Sequence, residues 1–367
     1  MVRRVLRHRW ARDKHSVGAG DRLEVLHIGL VGDHPGGMAQ VVNSYLEYPF
    51  VRTEVAAICS ASRRHDPFSP LRLVGCLANV LRRKVRARAV LMVVHLSERG
   101  SFVREGLILA FASCLGFPTC AHLHGAEFDR FALRHRRLCR LVLVRATSIL
   151  VLSDETERVV IRFLGIEPVK VRKVGNPVKF PNDSGRSRRS QSIVFGGEVG
   201  KRKGVDVLLA AWKEAGPPDD WVLVLAGPIS GDFDKSYLSA SRVKYLGVLQ
   251  HQELMLLLEQ SEIAVLPSRH EALPMFLLEA MSCGCAVLGT DVGGVSELLS
   301  AGAGVVVPAG SVPDLSRALE MMCSSAPIRA ALRRSAEEKV RKDLFKVYSQ
   351  LEAVWLDAAA GCYRLES

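Results

Sequence analysis

Short apolar runs alternate with helical segments in two successive arrays, and this constrains the chain more than any other feature. The first array opens with "LEVLHIGLV" (23–31), turns through "GDHPGG" and enters the helical "MAQVVNSYL". Its further strand candidates are "AVLMVVHL" (89–96), "PTCAHLH" (118–124) and "SILVLS" (148–153). Runs apolar on both faces that alternate with helices indicate a buried parallel sheet. "NPVKFPNDSGRSRRSQS" (176–192) has no hydrophobic period and reads as an interdomain linker. A second array then starts afresh at "SIVFGG". It runs through "GVDVLLAAWKEA", "WVLVLAG", "VKYLG", "HQELMLLLEQ", "EIAVLP", "PMFLLEAMSC" and "CAVLGT". "GVVVPA", "SVPDLSRALEMMCS" and two amphipathic helices, "IRAALRRSAEEKVRKD" and "FKVYSQLEAVWLDAAAG", complete it.

A chain of 367 residues suits two such units. The expected fold class is α/β, with two facing, doubly wound, Rossmann-like domains. We place a basic tail at 1–22, a first domain at 23–180, a linker at 181–191 and a second domain at 192–345. Ligands of this class bind at the carboxyl ends of the strands, here in a cleft between two sheets. Nine scattered cysteines read as reduced thiols, not a disulfide framework. Cys283-Gly-Cys285 has no second pair at zinc-ribbon spacing and reads as core packing. The first 22 residues are basic but have no apolar signal-peptide region. Residues 106–126 lack charge, yet Gly116-Phe117-Pro118 divides them into a buried helix, a turn and a strand.

Charge is divided unevenly. Residues 1–180 hold 30 Lys and Arg against 15 Asp and Glu, whereas the remainder holds 20 against 23. The basic excess belongs to the first half and suggests an anionic partner there. Nucleic acid is disfavoured, because the basic segments lack interleaved aromatics or a binding module. Segments 71–90 and 130–145 mix apolar residues with arginines at helix-compatible spacing. Either they are surface helices packed on the core, or they attach peripherally to an anionic membrane.

The densest cluster of functional residues is "RHEALPMFLLEAMSCGCAVLGTDVGG" (269–294). A buried strand delivers the chain to Glu271. Pro274 suits the first helical position, and the amides of Leu273, Pro274's neighbours Met275 and Phe276, and the positive dipole end form an anion site. Glu279 lies more than a turn inside the helix, roughly 10 Å from Glu271 along its axis. That spacing spans a diphosphate, with one acid on a sugar and one on a ribose. The plainer reading pairs Glu279 with a cation and leaves Glu271 as a dipole-favoured acid.

The whole pattern, P-S-x-x-E-A-x-P-x-x-x-L-E-A-M-x-x-G-x-A-V, resembles the nucleotide-sugar signature of the large retaining glycosyltransferase family with the GT-B fold (group 1, family 4). The resemblance covers nearly the whole chain. It implies that Lys203, in "FGGEVGKRKGVDVLLAAW", holds the donor diphosphate behind Gly197. Glu198 stands where an arginine is usual, so either it points away or Lys201 or Arg202 supplies the second positive charge. Gly36 and Gly37 match the first loop, where the backbone approaches a phosphate or sugar without a Cβ in the way. His124, in "HLHGAEFD", matches the histidine beside the transferred sugar, and His122 is a core position. Leu246 and Gly247 resemble the segment against the base, and Gly293-Gly294 with Glu297 resemble the turn that shapes the cleft. The helix at 346–367, around Tyr348 and Trp355, resembles the crossover back to the first domain. Catalytic roles thus fall to His124, Lys203 and Glu271. Donor contacts fall to Gly36, Gly37, Gly197, Lys201, Arg202, Leu246, Gly247, Leu273, Pro274, Met275, Phe276 and Glu279.

No metal ligands are expected. Asp232-Phe233-Asp234 spells the D-x-D of metal-dependent glycosyltransferases of the other fold, but sits in a variable-looking loop. By resemblance there is no cofactor beyond a nucleotide-diphosphate sugar as co-substrate. The partner is a glycan or lipid-linked acceptor, met at the cytoplasmic face of a membrane in polysaccharide or glycolipid assembly. A sugar-nucleotide epimerase and a non-catalytic sugar-nucleotide-binding subunit remain alternatives. A NAD-dependent dehydrogenase does not fit, since no G-x-G-x-x-G follows either first strand.

Overall fold

The computed structural model describes residues 22–32, 36–60, 69–85, 89–181, 189–231 and 233–363. Outside these lie the basic tail except Arg22, part of the first glycine loop, residues 86–88, most of the linker, and Asp232.

The first sheet holds β1 (Leu23–Gly29), β2 (Thr53–Cys59), β3 (Val90–Leu96), β4 (Thr119–Leu123), β5 (Ser148–Val151) and β6 (Val171–Lys173). All pairings are parallel, in the order β2-β1-β3-β4-β5-β6. β3 is buried at every position, as its two-faced apolar sequence requires. β2 and β6 were not foreseen. β2 is an edge strand buried fully only at Thr53, and β6 has three residues, so neither carries the apolar signature. The connecting helices are α1 (Gly37–Glu47), α2 (Ser69–Val85), α3 (Gly100–Cys114), α4 (Phe128–Arg134), α5 (Arg136–Leu143) and α6 (Asp154–Arg158), which runs into a π turn at Val159–Phe163. The basic segment 130–145 is therefore two helices broken at His135.

The second sheet holds β7 (Ser190–Gly196), β8 (Val222–Ala226), β9 (Val243–Tyr245), β10 (Ser261–Leu266), β11 (Ala286–Thr290) and β12 (Val305–Val307), in the order β12-β11-β10-β7-β8-β9. These pairings are parallel too. β7 begins inside the segment assigned to the linker. Its helices are α7 (Val205–Ala215), α8 (His251–Glu259), α9 (Met275–Ser282), α10 (Val295–Leu298) and α11 (Val312–Ser324), followed by α12 (Ala326–Tyr363).

α12 corrects the expectation of two terminal helices. Neither Gly nor Pro interrupts 328–360, so the 38 residues form one helix about 57 Å long. It starts on the second domain and ends on the first. Ala336, Val340, Val347, Leu351, Val354, Trp355 and Ala358 form its buried stripe. Tyr348 stacks on Tyr48 with centroids 3.6 Å apart, and Trp355 packs edge-on to Tyr45 and His27. Glu352 Oε1 accepts from the amides of Arg52 and Thr53 at 2.7 and 3.1 Å. One apolar core consequently runs from the inner face of the first sheet through α12 into the second domain.

Strand order reverses twice, between β1 and β3 and between β7 and β10. At such switch points adjacent connections diverge to opposite faces and leave a crevice beyond the strand ends. The loops from these ends face one another. A Cβ on Gly37 would stand 3.1 Å from Met275 Cγ, and Asn176 Nδ2 donates to Leu273 O at 3.0 Å. Lys173 Nζ, from β6, binds the Glu297 carboxylate of α10 at 2.9 Å, as well as Asp154. Among the described residues no helix is long and apolar enough to cross a membrane. Residues 106–126 span the end of α3, a turn at Gly116 and β4, with Gly125 and Ala126 just beyond it.

Candidate active site

At the β7/β10 switch point, two loops are lashed together. Arg269 donates two hydrogen bonds of 2.8 Å to the Asp206 carboxylate and another to Lys201 O. Arg269 N donates to Arg202 O at 2.9 Å. Gly204 makes this approach possible. Its φ is +71°, and a Cβ there would lie 1.8 Å from Pro267 O. Lys203 is thereby fixed over the end of β10, with Nζ 2.5 Å from Glu271 Oε1, which also accepts from Ser268 Oγ at 2.7 Å. The Lys203 and Glu271 side chains are 16% and 6% exposed, so neither charge is dissipated in solvent.

Glu198 has a cationic neighbour. Its carboxylate pairs with Arg202 at 3.4 Å, which occupies one of the two candidate substitutes for the usual arginine. Lys201 is exposed. Gly197 has a φ of +148°, with its would-be Cβ near the Lys203 stem.

Pro274 corrects the sequence expectation. Its ψ of 119° is extended, so it caps α9, and Met275 is the first helical residue. Proline fixes φ but not ψ, so an N-cap serves as well as a first-turn position. Met275 and Phe276 are buried, with Phe276 against Phe195. What they offer an anion is backbone N–H, not side chain. Glu279 is buried inside α9, and His251 Nε2 lies 3.0 Å from its Oε1. Its partner is the first residue of α8, distant in sequence. The two stand with Gln40, Ser44, Lys179 and Met275 around a narrow crevice between the domains. Leu246 is exposed beside Gly247, whose φ is +73°; Gly247 O accepts from Gly227 N at 2.7 Å.

Across the cleft, Gly36 (φ +123°) and Gly37 open α1. His124 directly follows β4, with its amide donating to Leu96 O at 2.8 Å. Its Nε2 lies 2.8 Å from His95 Nδ1, and His95 Nε2 lies 2.8 Å from His27 Nδ1. The three imidazoles form a chain from the core to the cleft. Burial pushes His124 down to about 3, and burial followed by the His124 charge does the same to His27. Both are neutral near pH 7. His122 lies fully buried on β4, its ring centroid 4.0 Å from that of His124. The second domain's His270 is lowered by burial and then by the first domain's Arg130, a sign of how closely the lobes approach.

Four polar residues escaped sequence reasoning: His251, His95, Glu98 and Lys173. Glu98 follows β3, and its Oε2 occupies the space a Cβ on Gly125 would need. Only its place after a central strand end marks it in the sequence. In the D-x-D string, Asp234 accepts from Ser236 N at 2.9 Å and caps a short 3₁₀ turn. The eight described cysteines with assigned state are free thiols, and Cys285 points into the core towards Leu258 O.

Residues 179–339, which contain Lys203, Glu271 and Glu279, match the family described as glycosyl transferases group 1. The group 1 segment carries the whole β7/β10 site, whereas His124 and the glycine loop precede it. Alpha-D-kanosaminyltransferase of Streptomyces kanamyceticus is 23% identical over 299 residues, covering 71% of this chain and 76% of its own. The phosphatidylinositol N-acetylglucosaminyltransferase gpi3 subunit of Schizosaccharomyces pombe is 27% identical over 230 residues. That match covers 59% of this chain and 50% of the subunit, so the chain spans half of that relative's length. The crystal structure of Anabaena HepE in complex with UDP superposes with a TM-score of 0.68 at 16% identity, over 91% of this chain and 100% of HepE. The likeness establishes the GT-B fold for this chain.

Proposed function

We propose that the chain is a retaining, metal-independent glycosyltransferase that moves a sugar from a nucleotide-diphosphate sugar to a glycan or lipid-linked acceptor. The observation that carries this reading is Lys203 held at Glu271 on the β7/β10 switch point. The diphosphate meets Lys203 Nζ and the first amides of α9. Charge developing on the leaving phosphate is stabilised by groups already in place, which lowers the barrier without reorganisation. Glu279 accepts the ribose hydroxyls, and Glu271 and neutral His124 hold the sugar. The base rests near Leu246 and Gly247. The Gly36-Gly37 backbone closes over the sugar from the first domain.

In the reaction the anomeric C–O bond to phosphate breaks, and the acceptor oxygen bonds to the same face of that carbon. The acceptor proton passes to the leaving phosphate oxygen. This sequence balances without a protein nucleophile. Titrating the protein with nucleotide sugars by thermal shift, then assaying transfer, tests the proposal, because a native-state ligand raises apparent stability. Conversion of a donor without acceptor would favour an epimerase. Tight donor binding without hydrolysis or transfer over an acceptor panel would favour a non-catalytic subunit.

The acceptor reading extends to an anionic membrane surface at the cytoplasmic face, for assembly of polysaccharide or glycolipid. α2 supports it. Leu71, Val74, Leu81 and Val85 are 69%, 61%, 49% and 80% exposed, and Arg82, Arg83 and Lys84 close the helix. Apolar insertion plus charge attraction suits an interfacial helix. Binding to phosphatidylglycerol vesicles that salt weakens is the expected result; absence of binding removes this part.

A further inference from the structure

His122 is a fully buried imidazole with no hydrogen-bond partner at either ring nitrogen. A neutral imidazole carries one N–H and one lone pair, and buried polar atoms seldom go without partners. Two more imidazoles stand beside it. His95 faces His122 in register across β3 and β4, and His124 follows two residues along the same side of the sheet. One nitrogen from each of His95, His122 and His124 lies within 4.8 Å of the other two. Among the described residues no other such trio of His, Cys, Asp or Glu forms a candidate ion site. The sequence conceals the trio because His95 belongs to a different strand.

We propose that His95, His122 and His124 bind a divalent transition-metal ion of the Zn²⁺ class, one nitrogen each, with the fourth position open to the cleft. Imidazole is a good ligand for Zn²⁺, Ni²⁺ and Cu²⁺, whereas Mg²⁺ and Ca²⁺ prefer oxygen. Nitrogens about 2.0–2.1 Å from a tetrahedral ion stand about 3.3 Å apart. His95 Nδ1 and His124 Nε2 are at 2.8 Å and the trio's nitrogens all lie within 4.8 Å of one another, so small ring movements complete the set. The outer shell is also present. With Nδ1 on the ion, His95 donates Nε2–H to His27 Nδ1, 2.8 Å away, the kind of bond that orients ligating histidines.

The ion is an inhibitor in this scheme, because it takes Nε2 of the residue assigned to the donor sugar. That consequence rests on the glycosyltransferase reading; the binding itself does not. The test is calorimetric titration of the untagged full chain with ZnSO₄, with Co²⁺ absorption as a second readout. One equivalent should bind, and tetrahedral Co²⁺ bands should appear. Loss of a second-shell partner weakens metal sites 10–100-fold, so His122→Ala and His124→Gln should each cost at least about 100-fold. Without metal, His122→Ala should still unfold cooperatively, the cavity left by its ring offset in part by removal of two unsatisfied nitrogens. If that variant does not fold, His124→Gln, at the cleft edge, decides. Undiminished Zn²⁺ affinity in the folded variants, or no saturable uptake by the wild type, overturns the proposal. Inhibition of transfer by Zn²⁺, reversed by EDTA, is read separately and tests the overlap with the donor sugar.

Discussion

Lys203 Nζ and Glu271 Oε1 meet at 2.5 Å although they come from loops on two different strands, β7 and β10. The lysine's charge is thus presented at a strand end beside a carboxylate, where the proposed function puts the donor diphosphate. Lys203→Ala should lower transfer about 10²–10³-fold, the usual cost of losing one preorganised charge-stabilising donor. It also leaves Glu271, at 6% side-chain exposure, with only its Ser268 bond among those described. The Lys203→Ala/Glu271→Gln pair should therefore be more stable to urea than Lys203→Ala alone. Steady-state assays and denaturation curves check both; unchanged turnover in Lys203→Ala would sink the assignment.

In the proposed function Glu279 acts through binding, not chemistry. A ribose hydroxyl bonded to a carboxylate contributes about 1.5–3 kcal/mol, so Glu279→Gln should raise the donor KM about 10- to 100-fold with kcat less affected. His251→Ala should shift KM the same way but less, because His251 orients Glu279 through a single 3.0 Å contact. Equal loss in kcat and kcat/KM would instead place Glu279 at the reacting carbon.

What was legible in the sequence was local. The β3, β4 and β10 runs are mostly apolar, and Glu271 and Glu279 share one short segment, so their strands, helix and loop could be read directly. Edge strand β2 could not, because it faces solvent along most of its length. The pairings Lys203–Glu271, His251–Glu279, His95–His124 and Lys173–Glu297 all join residues from different elements. No local pattern encodes them. The Glu198–Arg202 pair is the exception: a spacing of four was visible, but the partner was not chosen over Lys201.

His27 gives a pH prediction with a definite sign. Its folded-state value is about 3 against an ordinary 6.5. Below 6.5 the unfolded chain takes up a proton that the folded chain refuses, so stability falls as pH drops from 6.5 towards 3. From pH 6.5 to about pH 5 this one group costs roughly 1–2 kcal/mol, because the unfolded imidazole is already half protonated at 6.5. His27→Leu should lose about that much less than the wild type when urea unfolding is repeated at the two pH values. Parallel losses in both proteins would mean that His27 is solvated or protonated in the native state. By the same burial, His124 should leave no inflection near 6.5 in the rate profile.

Trp355 ties the end of α12 to the first sheet. It is fully buried and contacts His27, Tyr45 and Phe50, at centroid distances of 5.2, 5.6 and 5.0 Å. Truncating a buried tryptophan costs about 3–5 kcal/mol, so Trp355→Ala should lower stability by that order. Trp355→Phe should cost less, because its Nε1 has no partner to lose and removing it clears one unsatisfied donor. Since α12 belongs to both lobes, Trp355→Ala should also raise the donor KM by letting the lobes separate, although Trp355 lines neither switch point. Measuring KM at a temperature where the variant remains folded separates the two effects. A normal KM there would show that the Lys173–Glu297 and Asn176–Leu273 contacts suffice to hold the cleft.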